Sequence, residues 1–267
     1  MGRPRARRQE KLRRKKIAAA QRRETEGPLP DFVVLGTQKG GTSFFYRLLT
    51  EHPLVRGAAA KELHFFDNKF AEGVGWYRRC FSEGERVDGR RTITGEASPS
   101  YLFDPRVPER MARIVPEARL IALLRNPVDR AYSHYQMEVR RGREARSFEV
   151  ATEEEMTSAE GEENAVDVRY AYLKRGLYAE QLERFSFFAN RDRLLVVKSE
   201  NLFTRRPEVL ERVSTFLGLP AFESTLAPPA GKAPYEPMDP VTRRRLEGYF
   251  EPHNERLYGL LSTDFGW

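Results

Sequence analysis

Three segments of mostly consecutive apolar residues punctuate the chain: Phe32 to Leu35, Ala118 to Leu124 and Arg193 to Lys198. Each is too short for a helix and is bounded by polar or glycine-rich sequence, as expected for strands buried on both faces. Val55 to Ala60 and Thr92 to Gly95 read as weaker strands. Between them, apolar residues return at helical spacing. The helices are expected from Thr42 (Phe44/Phe45, Leu48/Leu49), over Pro105 to Val115, from Pro127 to Val139, over Gly176 to Ala189, over Pro207 to Leu217, and from Asp239-Pro240 onward. In the last of these, Leu246, Phe250, Leu257 and Leu260 are placed toward the core. Local signals fix several ends. His52-Pro53 stops the first helix, Asn126 can cap the third with Pro127 at its first position, and Gly218 closes the fifth. Residues 149–163 carry seven glutamates and little apolar content, which predicts an exposed helix and loop. Strands alternating with helices imply an α/β fold with a central, mostly parallel sheet covered by helices on both faces.

The turn after the first strand holds the densest chemistry. Gly36 to Gly41 supplies three glycines and Lys39, and Thr42-Ser43 opens the helix. A strand, a glycine-rich turn and a helix start form an anion cradle, because backbone N–H groups converge there and the helix dipole favours negative charge. This makes the fold P-loop-like in three layers. In the nucleotide-triphosphatase motif, however, the lysine follows the last glycine. Here Gly41 is followed by Thr42, and the lysine sits earlier, at Lys39.

Two further clusters carry ionisable groups. If Lys61-Glu62-Leu63-His64-Phe65-Phe66-Asp67 is extended, Glu62, His64 and Phe66 share one face. A carboxylate beside aromatic bulk would be a stronger base, since low dielectric raises its pKa. The same spacing also accommodates a surface ion pair of Lys61 with Glu62 and a core histidine. Arg125 falls at the carboxyl end of the second strong strand, with Ser133 two turns into the next helix. An arginine there offers a planar fork to a phosphate, or it caps and salt-bridges. Lys39 and Arg125 both lie where open α/β sheets bind ligands, at the strands' carboxyl ends.

Charge is distributed unevenly. The net charge of the 267 residues is +7, yet residues 1–26 hold eleven Lys/Arg and three Glu, leaving thirty-five bases and thirty-six acids elsewhere. The basic character therefore belongs to a tail, residues 1–28, set off by Gly27-Pro28-Leu29-Pro30 from a domain at 29–267. Such a tail either touches nucleic acid or anionic lipid weakly or is a solvated extension. One cysteine, Cys80, leaves no intrachain disulfide and fits a reducing compartment, and no stretch approaches the roughly 20 apolar residues of a membrane span. These features lead to the expectation of a cytoplasmic protein.

Taken together, the motifs resemble those of the PAPS-dependent sulfotransferases. Within them the chain is similar to the carbohydrate branch, typified by heparan sulfate 3-O-sulfotransferases and the sulfotransferase domain of N-deacetylase/N-sulfotransferases. The resemblance covers roughly residues 31–267. Gly36-Thr-Gln-Lys-Gly-Gly-Thr-Ser43 looks like the 5′-phosphosulfate loop, and Arg125-Asn-Pro-Val-Asp-Arg-Ala-Tyr-Ser133 like the 3′-phosphate motif. Lys61 to Asp67 is similar to the acidic catalytic motif of the heparan enzymes. Arg175-Gly-Leu-Tyr178, residues 249–254 and Asp264-Phe-Gly-Trp267 are also similar to that branch.

The resemblance implies PAPS (3′-phosphoadenosine 5′-phosphosulfate) as co-substrate and PAP as product, with no metal, and a hydroxyl-bearing acceptor such as a glycan, glycolipid or glycosylated metabolite. It implies that Lys39, with the backbone of Gly40, Gly41, Thr42 and Ser43, holds the 5′-phosphate and sulfonate. Arg125 and Ser133 would bind the 3′-phosphate, and Lys232 would clamp the cofactor from the other side. Glu62 would accept the acceptor's proton, assisted by His64 and Asp67, while Lys39 stabilises the leaving oxygen. Two departures bear on the acceptor. Ala97 stands where the animal heparan enzymes have a lysine, and Gly231-Lys232-Ala233 replaces a Lys-Gly-Arg loop with its cysteine pair. Two other readings compete: a P-loop nucleotide kinase or ATPase, which the position of Lys39 disfavours, and a non-catalytic nucleotide-binding module docked through the basic tail.

Overall fold

The computed structural model describes residues 27–157, 168–228 and 235–267. Most of the basic tail, part of the glutamate-rich segment and Lys232 therefore lie outside the described residues. The elements run β1 (Phe32–Gly36), α1 (Thr42–Glu51), β2 (Val55–Gly57), α2 (Gly73–Arg78), β3 (Arg86–Val87), β4 (Arg90–Arg91), β5 (Ile93–Ala97), α3 (Val107–Ile114), β6 (Arg119–Leu124), α4 (Pro127–Arg140), α5 (Phe148–Thr157), α6 (Tyr178–Glu183), α7 (Ser186–Ala189), β7 (Leu194–Lys198), α8 (Asn201–Thr204), α9 (Arg206–Leu217) and α10 (Pro240–Leu261).

Five strands form one parallel sheet in the order β2-β5-β1-β6-β7, and β3 with β4 makes a separate antiparallel ribbon. Side-chain alternation along the central strands divides the core into two layers. Val33 and Leu35 of β1, with Leu120, Ala122 and Leu124 of β6, face α3, α6, α7 and the end of α10. Phe32, Val34, Ile121 and Leu123 face α1, α8 and α9. A satellite core joins α4, α5 and α10 through Val128, Phe148 and Phe250. The chain leaves β1 toward β2 and β5 on one side, then crosses to β6 and β7 on the other. The crevice between the ends of β1 and β6 is thus the topological switch point, where such sheets bind ligands.

Several expectations need correcting. The weak second strand stops at Gly57, and Gly176 to Ala189 is not one helix but a 3₁₀ turn, α6 and α7, broken where the Phe185 ring turns into the core. Leu260 is 45% exposed, because the apolar stripe of α10 continues through Tyr258 and Leu261 instead. The glutamate-rich segment is not uniformly exposed. Glu155 of α5 is buried and accepts hydrogen bonds from the Leu173 and Lys174 amides at 2.8 Å each. Among the described residues, no helix is long and apolar enough to cross a membrane.

Candidate active site

The anion cradle is built by glycine where nothing larger fits. A Cβ on Gly40 would lie 2.8 Å from Thr37 Cγ2 and 3.0 Å from the Leu123 carbonyl oxygen. Gly41, the N-cap of α1, holds φ at 84°, in the left-handed region. Neighbouring strands fix the turn from outside. The Thr37 amide donates to Leu123 O at 2.7 Å, Ser199 Oγ donates to Gly40 O at 2.7 Å, and Arg125 Nη1 donates to Lys39 O at 3.2 Å. The Gly40 amide is occupied within the turn, donating to Thr37 O at 2.9 Å.

A cavity of about 680 Å³ opens over this turn, at the carboxyl ends of β1, β6 and β7. Lys39, Gly41, Thr42, Ser43, Glu62, Arg125 and Ser133 line it, drawn from three separate sequence motifs. Gly40, His64 and Asp67 are not part of its wall. Asn126 caps α4 as expected, accepting from the Val128 and Asp129 amides at 3.0 and 3.2 Å, and so orients the helix that carries Ser133. Tyr178 OH donates to the Arg125 carbonyl at 2.8 Å, tying the Arg175-to-Tyr178 segment to the same corner.

Glu62, His64 and Asp67 form a chain of side chains, but not by strand alternation. Glu62 and His64 hold φ at 63° and 55°, and Lys39 at 69°. Left-handed backbone is uncommon outside glycine and costs about 1–2 kcal/mol per residue, so its presence at three site residues marks a built geometry. The segment is a turn in which Phe66, expected beside Glu62, is fully buried with Phe65 and Leu63. His64 Nδ1 lies 2.9 Å from Asp67 Oδ2, and its Nε2 lies 3.8 Å from Glu62 Oε2. Lys61 Nζ donates to Glu62 Oε1 at 2.5 Å, so the surface ion pair is also present.

This arrangement polarises all three groups. The hydrogen bond to Asp67, aided by Glu62, raises the His64 pKa to about 9. The charge of His64, 3.8 Å away, helped by Lys61, lowers the Glu62 pKa to about 2 despite partial burial. The expectation that burial would raise the Glu62 pKa is overturned, because two cations outweigh desolvation there. Burial of Asp67 acts to raise its pKa, but the bonds from His64 and Ser100 hold it below the usual carboxylate range.

Three parts of the wall escaped sequence reasoning. Phe44 and Phe203 stack at 5.7 Å between centroids and make an apolar side, with Phe203 52% exposed. Ser199 and Glu200 follow β7, and Glu200 Oε1 accepts from the Asn126 amide at 2.8 Å. Met137 and Arg141 extend the wall along α4. The carboxyl end of β7 was a legible signal for Ser199 and Glu200, since that strand was visible. Phe203 gave none. Among the described residues, no three His, Cys, Asp or Glu side chains converge as metal ligands.

Residues 29–238 match the family model described as the sulfotransferase domain. The chain belongs to the sulfotransferase family. Sulfotransferases are enzymes whose sulfonate donor is PAPS and whose spent donor is PAP. Human heparan sulfate glucosamine 3-O-sulfotransferase 3B1 is 30% identical over 263 residues, an alignment taking in 90% of this chain and 65% of that protein. The human 3A1 enzyme is likewise 30% identical, and this sulfotransferase spans 62% of its length. Membrane-associated sulfotransferase kil1 of Dictyostelium discoideum is 26% identical, with 90% of this chain and 66% of that one covered. The solved structure of a sulfotransferase from Alicyclobacillus acidocaldarius superposes with a TM-score of 0.72 at 30% identity, covering 89% of this chain and 98% of that one.

Proposed function

We propose that this sulfotransferase moves the sulfonate of PAPS onto a hydroxyl of a carbohydrate or glycosylated metabolite, with Glu62 as the general base. The observation that carries this reading is that Glu62 shares one cavity wall with Lys39, Arg125 and Ser133. A proton acceptor and two cationic anchors thus face the same space. Its volume, about 680 Å³, falls within the range of small-molecule sites and suits a nucleotide plus part of an acceptor.

Each residue has a chemical task. Arg125 and Ser133 hold the 3′-phosphate, the arginine through the part of its fork not given to Lys39 O. The amides at the start of α1 face the 5′-phosphate, with Gly40 shaping the turn rather than donating. Phe44 and Phe203 provide an apolar wall for the adenine ring. The acceptor oxygen attacks sulfur in line, and the bond from sulfur to the bridging oxygen of PAP breaks. Lys39 stabilises the charge that grows on that oxygen.

The proton of the acceptor hydroxyl goes to Glu62. A carboxylate with a pKa near 2 is ionised at any working pH, while His64, raised to about 9, is already protonated and cannot accept. So low a pKa makes Glu62 a weak base toward a free alcohol. The hydroxyl becomes strongly acidic as its oxygen bonds to sulfur, so proton transfer accompanies bond formation. His64 and Asp67 orient the carboxylate.

The names of the human relatives favour a glycan acceptor. Ala97 is fully buried at the end of β5 and projects no cation, which supports an acceptor other than heparan itself. The test is transfer of labelled sulfonate from PAPS to a panel of glycans, glycolipids and phenols, with mass detection of products. Products confined to glycan-bearing acceptors support the reading. Sulfated phenols alone would overturn the carbohydrate assignment, and Mg²⁺-dependent ATP cleavage without sulfonate transfer would favour a nucleotide kinase or ATPase.

A further inference from the structure

Glu96 lies in β5, is fully buried, and lies outside the cavity wall. It is hydrogen-bonded by three hydroxyls: Tyr77 OH at 2.7 Å and Tyr101 OH at 3.0 Å on Oε1, and Ser98 Oγ at 2.8 Å on Oε2. Two of these hydroxyls continue onward to the loop that carries Glu62 and His64. Ser98 Oγ accepts from the His64 amide at 3.2 Å, and Tyr101 OH accepts from the Phe65 amide at 2.8 Å.

The direction of these bonds matters. A hydroxyl has one hydrogen to give. A carboxylate can only accept and a backbone amide can only donate, so a hydroxyl between them points its hydrogen at the carboxylate and its lone pairs at the amide. Glu96 thereby sets the polarity of both relays. The amides it holds are those of His64, at φ 55°, and of the residue after it. The Glu62 amide is held in parallel, donating to Ala97 O at 3.0 Å. Left-handed backbone persists only where its surroundings over-determine it.

We propose that Glu96 is a positioning residue for catalysis: its buried carboxylate orients the Ser98 and Tyr101 hydroxyls so that they clamp the backbone at His64 and Phe65, which keeps His64 against Glu62 and Glu62 aimed at the acceptor. Burial of this carboxylate is costly, and its pKa is raised by desolvation against the three hydroxyl bonds. The inference rests on the proposed role of Glu62 and His64.

In Glu96→Gln the amide still accepts on one side but donates on the other, and one hydroxyl loses its defined partner. Its test compares kcat, KM for the acceptor and PAP affinity in Glu96→Gln, Ser98→Ala and their double variant. Glu155→Gln serves as comparator, since Glu155 is also a buried carboxylate holding two amides, outside the site. A loss of kcat between about tenfold and about a hundredfold in Glu96→Gln is expected, the scale of a misplaced reacting group. PAP affinity is expected within about twofold of the parent, because Lys39 and Arg125 are untouched. The double variant should lose little more than the worse single one, since both break the same relay. Amide exchange at His64 should quicken in both single variants. Glu155→Gln should lower the melting temperature without the selective loss of kcat. Normal kcat in a folded Glu96→Gln would overturn the inference. So would equal loss of kcat and PAP affinity, or additive losses in the double variant. If Glu62→Gln alone is fully active, the fault lies instead with the proposed base.

Discussion

Arg125 Nη1 donates to the carbonyl oxygen of Lys39 at 3.2 Å, joining two motifs that lie 86 residues apart in the chain. The bond fixes the backbone at Lys39, where φ is 69°, and leaves the rest of the guanidinium facing the cavity. The turn at residues 36–43 and the start of α4 are therefore held as one mechanical unit. In Arg125→Lys the planar fork is lost, and a point charge cannot serve the carbonyl and a phosphate together. PAP affinity is expected to fall about tenfold to a hundredfold, the range for losing hydrogen bonds to a charged group. Calorimetric titration with PAP, set against the same variant titrated with adenosine 5′-phosphosulfate, localises the loss to the 3′-phosphate.

Lys39→Ala separates binding from chemistry. Removing one donor that meets developing charge lowers kcat by about a hundredfold to a thousandfold in comparable sites. The expected result is a loss of that order in single-turnover transfer from PAPS, with a smaller change in PAP affinity.

Gly40→Ala tests the cradle itself. Its new methyl group would meet Thr37 Cγ2 and the Leu123 carbonyl, both inside van der Waals distance. Overpacking of this kind costs about 1–3 kcal/mol, and thermal unfolding should show it. PAP binding should weaken in parallel if, as proposed, the backbone that moves is the one that faces the phosphate.

The pH dependence follows from two shifts of opposite sign. His64 titrates near 9 in the fold against an ordinary 6.5, so its interactions stabilise the protein fully below about 6.5 and are lost as pH rises through about 9. Glu62 titrates near 2 against 4.5, so its contribution is present above about 4.5 and is lost as pH falls through about 2. Both groups hold their working charge between these limits. The rate of transfer is expected to be flat through neutrality and to decline as pH approaches 9, and His64→Asn should remove that alkaline decline. An alkaline limb that persists in His64→Asn would assign it to another group.

The order of the central strands was legible because β1 and β6 are buried along nearly their whole length and stay apolar, and β7, at the sheet edge, keeps four apolar residues in a row although every second one is only partly buried. Asn126, Gly218 and Asp239 marked their helix ends for local reasons, and the structure places their caps there. The closeness of Glu62 and His64 was anticipated for a reason that does not hold. They meet through left-handed turns, which alternation rules do not describe, and the aromatic residue expected beside them is in the core. Glu96 carried no local signal of its role, only its place before Ala97 in the resemblance. A lone glutamate in a polar stretch reads as surface, and only the three hydroxyls that converge on it from positions 77, 98 and 101 reveal it as buried. The depressed pKa of Glu62 was equally invisible, since it depends on where the Lys61 and His64 side chains point.

The proposed mechanism turns on Glu62 taking the acceptor's proton during sulfonate transfer. Glu62→Gln keeps the size of the side chain and removes its ability to accept that proton. The most direct measurement is single-turnover transfer of labelled sulfonate from PAPS to the best acceptor of the panel, with PAP affinity measured on the same preparation. Transfer is expected to fall by at least about a hundredfold, the range for general-base catalysis, with PAP affinity within about twofold of the parent. Transfer at near-parental rate in a variant that binds PAP normally would contradict the mechanism.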